Sequence, residues 1–252
     1  GDHVNWDDLR VFLAVARADS LSGAGRRLGI DASTVGRRVA RLEGALGAKL
    51  FIKTPQGYGL APEGERLLID VDARLADDLA RRLSMYRLRS KVAIEPMDLA
   101  VARGTGPAPA GAIADPRHPA LGWRLYGAEG DDGTDWDAIR VAHCIPETLV
   151  ELIPNETFIL EAGFERLHGV DFRKGCYVGQ EVTARMKHKT ELRKGLVTVG
   201  IEGAAPVGTP ILMADGREAG TLFTQSGGRA IAHMRFDRMG EGLTAGDARI
   251  IP

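Results

Sequence analysis

Apolar residues in the first part of the chain recur at helical spacing. Leu9, Phe12, Leu13 and Ala16 mark one stripe, and Val35, Val39, Leu42 and Leu46 mark another. Gaps of three and four place such residues on one buried face of a helix. Asp19 and Ser20 separate the first helix from a second, and Asp31 or Ser33 can supply the capping oxygen for the helix of Val35. After Gly47 the pattern shortens. Leu50-Phe51-Ile52 predicts a strand, Thr54-Pro55-Gln56-Gly57-Tyr58-Gly59 a tight turn, and Leu60 the start of a return strand. Three helices and then a two-stranded hairpin is the order of a winged helix-turn-helix.

From Arg66 the pattern changes. Leu67-Leu68-Ile69 reads as a strand; Leu75, Leu79, Leu83 and Tyr86 share one helical face; Val92 and Ile94 begin another strand. Loops are expected over the Gly/Pro/Ala-rich stretch 104–119 and over the acidic Gly130-Asp131-Asp132-Gly133, with a helix carrying Ile139, Val141 and Ala142 after them. From Leu192 onward the apolar runs are short: Leu196–Val199, Pro210–Leu212, Gly220–Phe223 and Ala230–Ala232. Gly203, Gly208, Asp215-Gly216 and Gly227-Gly228 punctuate them, as in a small antiparallel barrel. The expected class is α+β, in three parts: 1–66 a winged helix-turn-helix, 67–190 an α+β domain, and 191–252 a β-barrel.

Composition narrows the possibilities. The chain has 252 residues, 44% hydrophobic, with a formal charge of −1, which suits two or three small globular domains. No apolar run reaches the ~18 residues of a membrane span, and no basic-then-apolar signal segment opens the sequence. The expectation is a cytoplasmic protein with no membrane partner. Cys144 and Cys176 are the only cysteines, too few for a disulfide framework or a four-cysteine metal cage. A single bridge between them would be unusual where thiols are kept reduced.

Basic residues cluster near the predicted third helix. A helix starting at Ser33 sets Ser33, Thr34, Arg37, Arg38 and Arg41 opposite Val35, Val39 and Leu42. Such a face suits phosphates and base edges in a DNA groove; a solvated helix surface fits the same pattern. Gly23 and Gly25 would each cost a helix about 1 kcal/mol relative to alanine. Leu9 to Ala16, Leu21-Ser22, Ala32 to Glu43, Leu46 to Phe51 and Thr54 to Tyr58 together closely resemble the DNA-binding domain of LysR-type transcriptional regulators, over residues 6–66. The resemblance implies that Ser33, Thr34, Arg37 and Arg38 face DNA, with Lys53 and Gln56 in the wing. Beyond Leu68 the chain does not resemble the effector domain of such regulators.

The densest group of unusual residues is Asp171 to Glu181. Gly175 and Gly179 permit tight turns, Tyr177 offers an aromatic face, and Gln180 and Glu181 offer an amide and a carboxylate that could read a pterin ring. Arg185, Lys187, Lys189, Arg193 and Lys194 come next, suited to carboxylates. A turn before a solvated basic strand fits equally well. Cys176 has no predicted base beside it, although Arg173 and Lys174 could lower its pKa. His143, His168 and His188 are isolated in sequence, and no tightly bound metal is expected.

The run Lys174-Gly175-Cys176-Tyr177-Val178-Gly179-Gln180-Glu181 resembles the signature of the YgfZ/GcvT-like folate-binding family. Arg82 to Val92, Asp115 to Gly122, Arg140, Ile145-Pro146, Pro154-Asn155-Glu156, Met186 to Lys189, Gly208 to Ile211 and Gly220 extend the resemblance over about residues 67–252. It implies a GcvT-like fold, incomplete at its N-terminal side, that binds tetrahydrofolate and assists iron–sulfur proteins, including tRNA-modifying enzymes. The implied folate-binding residues are Lys174, Cys176, Tyr177, Gln180, Glu181, Arg185 and Lys187, with Cys176 as a candidate functional thiol. No catalytic dyad is visible, so the chain is not expected to be an enzyme. Aminomethyl transfer to folate is one alternative, although its catalytic aspartate has no counterpart here. A DNA-binding regulator whose folate-like part senses or dimerises is the other. The boundary between the two resemblances lies between Thr54 and Asp72. A partial folate fold would expose apolar surface, which a second copy of the chain could cover as a homodimer.

Overall fold

The computed structural model describes residues 6–46, 48–54, 57–60, 68–87, 92–172, 183, 186–187 and 192–252. The chain divides into two compact units, Gly1–Met97 and Asp98–Pro252.

The first unit holds helices α1 (Trp6–Ala18), α2 (Leu21–Leu28) and α3 (Ala32–Leu46), then an antiparallel hairpin of β1 (Phe51–Thr54) and β2 (Gly57–Leu60). This is the predicted winged helix-turn-helix order. Leu9, Phe12, Val35, Val39 and Leu42 form its core, with Leu50 and Phe51 from the wing. Val11 and Val15, outside the predicted stripe of α1, are completely buried, because α1 packs against both α2 and α3. Ser20 caps α2 by accepting from the Gly23 N–H at 3.0 Å. The cap of α3 is Asp31, whose Oδ1 accepts from the Thr34 N–H at 2.8 Å; Ser33 is instead a donor to the same carboxylate. Gly25 has a packing reason, since a Cβ there would stand 2.6 Å from the Ile30 carbonyl oxygen.

Two carboxylates organise this unit. Asp8 on α1 is fully buried and receives Arg41 Nε and Nη2 of α3, both at 2.6 Å. Arg41 is therefore engaged in holding α1 to α3, which corrects its assignment to a groove-facing surface. Glu43 Oε1 accepts from the Leu50 and Phe51 N–H groups at 2.9 and 3.3 Å, tying the wing to α3.

Helix α4 (Ala73–Arg87) comes next, with Leu75, Leu79 and Leu83 half-buried. The strands expected around Leu68-Ile69 and Val92-Ile94 do not form. Those residues have no regular structure, and Leu68 and Ile69 are 51% and 42% exposed. A short apolar run is not a strand until a neighbour supplies the other half of its hydrogen-bond ladder.

The second unit opens with a three-stranded antiparallel sheet, ordered β3 (Val101–Gly104), β5 (Trp123–Tyr126), β4 (Ile113–Ala114). A 3₁₀ turn, Pro119–Leu121, precedes β5, and α5 (Trp136–His143) comes after the acidic loop. The remaining strands are β6 (Lys194–Glu202), β7 (Pro210–Leu212), β8 (Glu218–Ser226), β9 (Arg229–Arg235), β10 (Leu243–Ala245) and β11 (Ala248–Ile251). They close into a barrel in the order β10-β11-β6-β9-β8-β7, as the short runs and turn residues predict. Three consecutive residues of β9 are fully buried. Ala230 and Ala232 join the barrel core, whereas Ile231 joins Phe223 and Val141 of α5. The helix thus covers one outer wall, and β9 loses the exposed face that strands usually keep. At Gly220 a Cβ would lie 2.3 Å from the His233 carbonyl oxygen, so β8 and β9 approach too closely for any side chain there.

A buried ion pair joins α5 to the barrel. Arg140 Nη2 donates to Glu151 Oε2 at 2.5 Å and to Thr224 Oγ1 at 3.0 Å; its Nη1 donates to Asp137 at 2.7 Å and its Nε to the Ile145 carbonyl at 3.2 Å. Glu151 Oε1 accepts from the N–H and hydroxyl of Thr224 at 3.2 and 2.5 Å. The β8–β9 register shifts between Leu222 and Gln225, and such an irregularity releases backbone groups from the ladder. The released Thr224 N–H is the one that reaches Glu151.

The loop before β5 meets the end of α5 through two imidazoles. His118 and His143 stack with ring centroids 4.3 Å apart, and His118 Nδ1 accepts from the Ala120 N–H at 3.1 Å. Partial burial, then the nearby His143, Arg166 and His168, push the His118 pKa below its ordinary value. Protonating Nδ1 would also break the cap.

Both contacts can be tested by substitution. Glu151→Gln removes the one fully buried counter-charge of Arg140, leaving the more exposed Asp137 and Glu147, and should cost about 3 kcal/mol in urea unfolding; a change under about 1 kcal/mol would mean the pair is not structural. For His118, the folded state binds its proton less readily than the unfolded state. Its contribution is therefore present above the unfolded pKa of 6.5 and lost as pH falls through and below that value. His118→Asn keeps a capping acceptor without the titration, so the variant should lose less stability than the parent between pH 7.5 and 5.5 (about one unit to either side of an ordinary histidine). Parallel pH curves would remove His118 from this role.

Candidate functional site

In the first unit the candidate surface is the start of α3 with β1. Ser33 and Arg37 are exposed, and Thr34 and Arg38 partly so. They form a chain: Arg37 Nη2 donates to Thr34 Oγ1 at 3.0 Å, and that hydroxyl donates to Asp31 Oδ2 at 2.7 Å. The donors from Ser33 and Thr34 hold the Asp31 carboxyl well below the usual carboxylate range. Asp31 therefore stays ionised and fixes both hydroxyls. Arg38 borders the buried stripe of Val35, Val39 and Leu42. Lys53 is exposed on β1; Gln56 lies outside the described residues. The face offers guanidinium and hydroxyl groups to a polyanion, without the contribution of Arg41.

In the second unit, Lys174, Cys176, Tyr177, Gln180, Glu181 and Arg185 lie outside the described residues, as does His188. Lys187 is described. Its Nζ meets Glu165 Oε1 and Oε2 at 2.9 and 2.6 Å and lies 5.2 Å from the Phe172 ring centroid. Phe172 and Lys187 flank the signature stretch in sequence and meet in space. Lys187 is thus ion-paired, and a ligand carboxylate would compete with Glu165 for it. Lys194 also has an acidic neighbour, with Glu161 Oε2 at 3.6 Å, and the same oxygen lies 3.0 Å from His233 Nε2. Nothing in the local sequence announces Glu161 or Glu165 as partners.

The histidines are not all isolated, because His143 stacks on His118. Among the described residues no group of three or more His, Cys, Asp and Glu side chains could hold a metal ion. Cys144 caps α5 with a left-handed φ of 49°, and burial pushes its thiol pKa up, which suits packing better than nucleophilic chemistry. An open cleft of about 550 Å³ is lined by Arg103, Trp136, Asp137, Glu147, Val150 and Val207, among others. The Arg103 guanidinium stands 4.3 Å over the Trp136 ring. These residues come from separate segments, so no local motif marks the cleft. No helix among the described residues is long and apolar enough to cross a membrane.

Residues 6–65 match the family described as bacterial regulatory helix-turn-helix protein, lysR family, and residues 193–252 match the CAF17 C-terminal beta-barrel domain. The mitochondrial iron-sulfur cluster assembly factor IBA57 of Mus musculus is 30% identical, over 81% of this chain and 64% of its own length. The Homo sapiens protein of that name is 30% identical over 69% of this chain and 58% of its own length. The mitochondrial IBA57 homolog of Neurospora crassa is 34% identical over 60% and 42% respectively. The chain thus spans less than two thirds of the length of these relatives. A match taking in 81% of the chain is longer than residues 67–252, so it reaches into the segment that also matches the LysR family. CbnR, a LysR family transcriptional regulator of known structure, is 26% identical over 32% of this chain and 26% of its own, with a TM-score of 0.25. The chain is thus similar over most of its length to iron–sulfur cluster assembly factors of the IBA57 kind, with a region matching the CAF17 C-terminal beta-barrel and another matching the lysR-family helix-turn-helix.

Proposed function

We propose that the second unit is a tetrahydrofolate-binding accessory module for iron–sulfur proteins, tRNA-modifying ones included, and that the winged helix-turn-helix binds DNA. The similarity to assembly factors over most of the chain carries the first part. The meeting of Phe172 with Lys187 supports it, since it holds together the two flanks of the signature stretch. In this reading Tyr177 stacks on the pterin, while Gln180 and Glu181 take up its donors and acceptors. Lys174, Arg185 and Lys187 receive the glutamyl carboxylates, and Cys176 supplies a thiol for a client. No group in the site is assigned a bond-breaking role. The helix-turn-helix match favours DNA as a further partner, and a bacterial-type regulator segment suits a cytoplasmic setting.

Calorimetry with tetrahydrofolate should detect binding by the intact chain, and Glu181→Ala should weaken it about tenfold, as losing a hydrogen bond to a charged group does. Equal affinity in parent and variant would remove the signature from the site. The DNA reading has a separate test. Arg37→Glu combined with Arg38→Glu should abolish retention of duplex DNA while leaving folate binding intact, and the parent's affinity should fall steeply with added salt. Unchanged retention would show that α3 does not carry DNA binding.

A further inference from the structure

One end of the barrel carries an aromatic platform among cations that neither proposed site uses. Phe236, just after β9, is 42% exposed. Its ring is supported from one side by β6, where Gly195 has no side chain: a Cβ there would stand 3.2 Å from Phe236 Cζ. The Phe236 N–H donates to the Arg193 carbonyl at 2.9 Å, which ties the two main-chain segments together. Arg193 is exposed, and Lys194 lies opposite Arg235 in the β6–β9 register. Arg238 continues the cationic run, with its Nη1 donating to the Glu218 carbonyl.

Acids temper this patch without cancelling it. Glu161 lies 3.6 Å from Lys194 and 3.0 Å from His233. Asp237 Oδ1 is 3.4 Å from Arg235 Nε. That pair lacks hydrogen-bond geometry, and Arg235 Nε is shut off from solvent with no hydrogen-bond partner. Among the described residues, Arg193, Lys194, Arg235 and Arg238 outnumber the carboxylates of Glu161 and Asp237 beside the Phe236 ring.

A supported aromatic face surrounded by arginine and lysine is the arrangement that receives an unpaired base together with its flanking phosphates. We propose that this end of the barrel binds single-stranded nucleic acid, with a base stacked on Phe236 and phosphates met by Arg193, Lys194 and Arg235. An acidic peptide would use the cations but gains nothing specific from the ring, so a polynucleotide is the partner the geometry favours.

The test uses the full chain carrying Arg37→Glu and Arg38→Glu, which silences the proposed duplex-binding face. Fluorescence anisotropy is recorded with labelled oligothymidylate and oligouridylate of about twelve nucleotides. Binding should persist in this background and weaken as salt rises. Phe236→Leu, which keeps apolar bulk but loses the flat face, should reduce affinity about tenfold at unchanged melting temperature. Phe236→Trp should bind at least as tightly as the parent. Arg193→Glu should weaken binding and flatten the salt dependence, whereas Arg229→Glu, at the far end of β9, should not. Loss of all binding in the Arg37/Arg38 background would overturn the proposal. So would equal affinities for the leucine and parent proteins, or a polyglutamate peptide binding as tightly with the same dependence on Phe236.

Discussion

The second unit depends on Arg140. This buried cation is held by Glu151 and Thr224 while its own helix contributes Asp137. A charge out of water is tolerated only when its donors are all met by acceptors. Here the acceptors come from α5, from the turn at 147–151 and from β8. The strand supplies Thr224 because its register shifts there, and the same contact presses Val141 onto Ile231 and Phe223. Helix, turn and barrel are therefore fixed by one polar junction with an apolar seal beside it.

The first unit applies the same device at smaller scale. Asp8 is fully buried against Arg41, and Glu43 gathers the two N–H groups that open the wing. Asp8 joins two helices far apart in sequence, and Glu43 ties α3 to the wing that comes soon after it, which turns a row of amphipathic helices into one body. Asp31 differs, since it is exposed and its contacts are local. It starts α3 and holds the hydroxyls of Ser33 and Thr34, so the end of the helix offered to a partner is ordered in advance.

What a basic residue does in this chain is set by the acid nearest to it. Arg41 and Lys187 look like ligand-seeking cations in the sequence, yet each meets a carboxylate at hydrogen-bond distance. Arg235 keeps an Nε without a hydrogen bond, although an aspartate lies two residues away in sequence.

Local elements could be read directly from the order of residues: the three helices and wing, the helix of Val141, and the barrel strands with their glycine turns. Each rests on periodicity, capping or positive φ, which act over a few residues. The relationship to assembly factors was legible too, because it rests on the order of motifs. Leu68-Ile69 and Val92-Ile94 were misleading, since strand formation needs a partner that no local pattern supplies. Folding in three dimensions was needed to make Arg41 an anchor, to give Lys187 to Glu165, to stack His143 on His118, and to rest Phe236 against Gly195. These are mostly contacts across tens of residues, and a sequence states which groups exist without stating which of them meet.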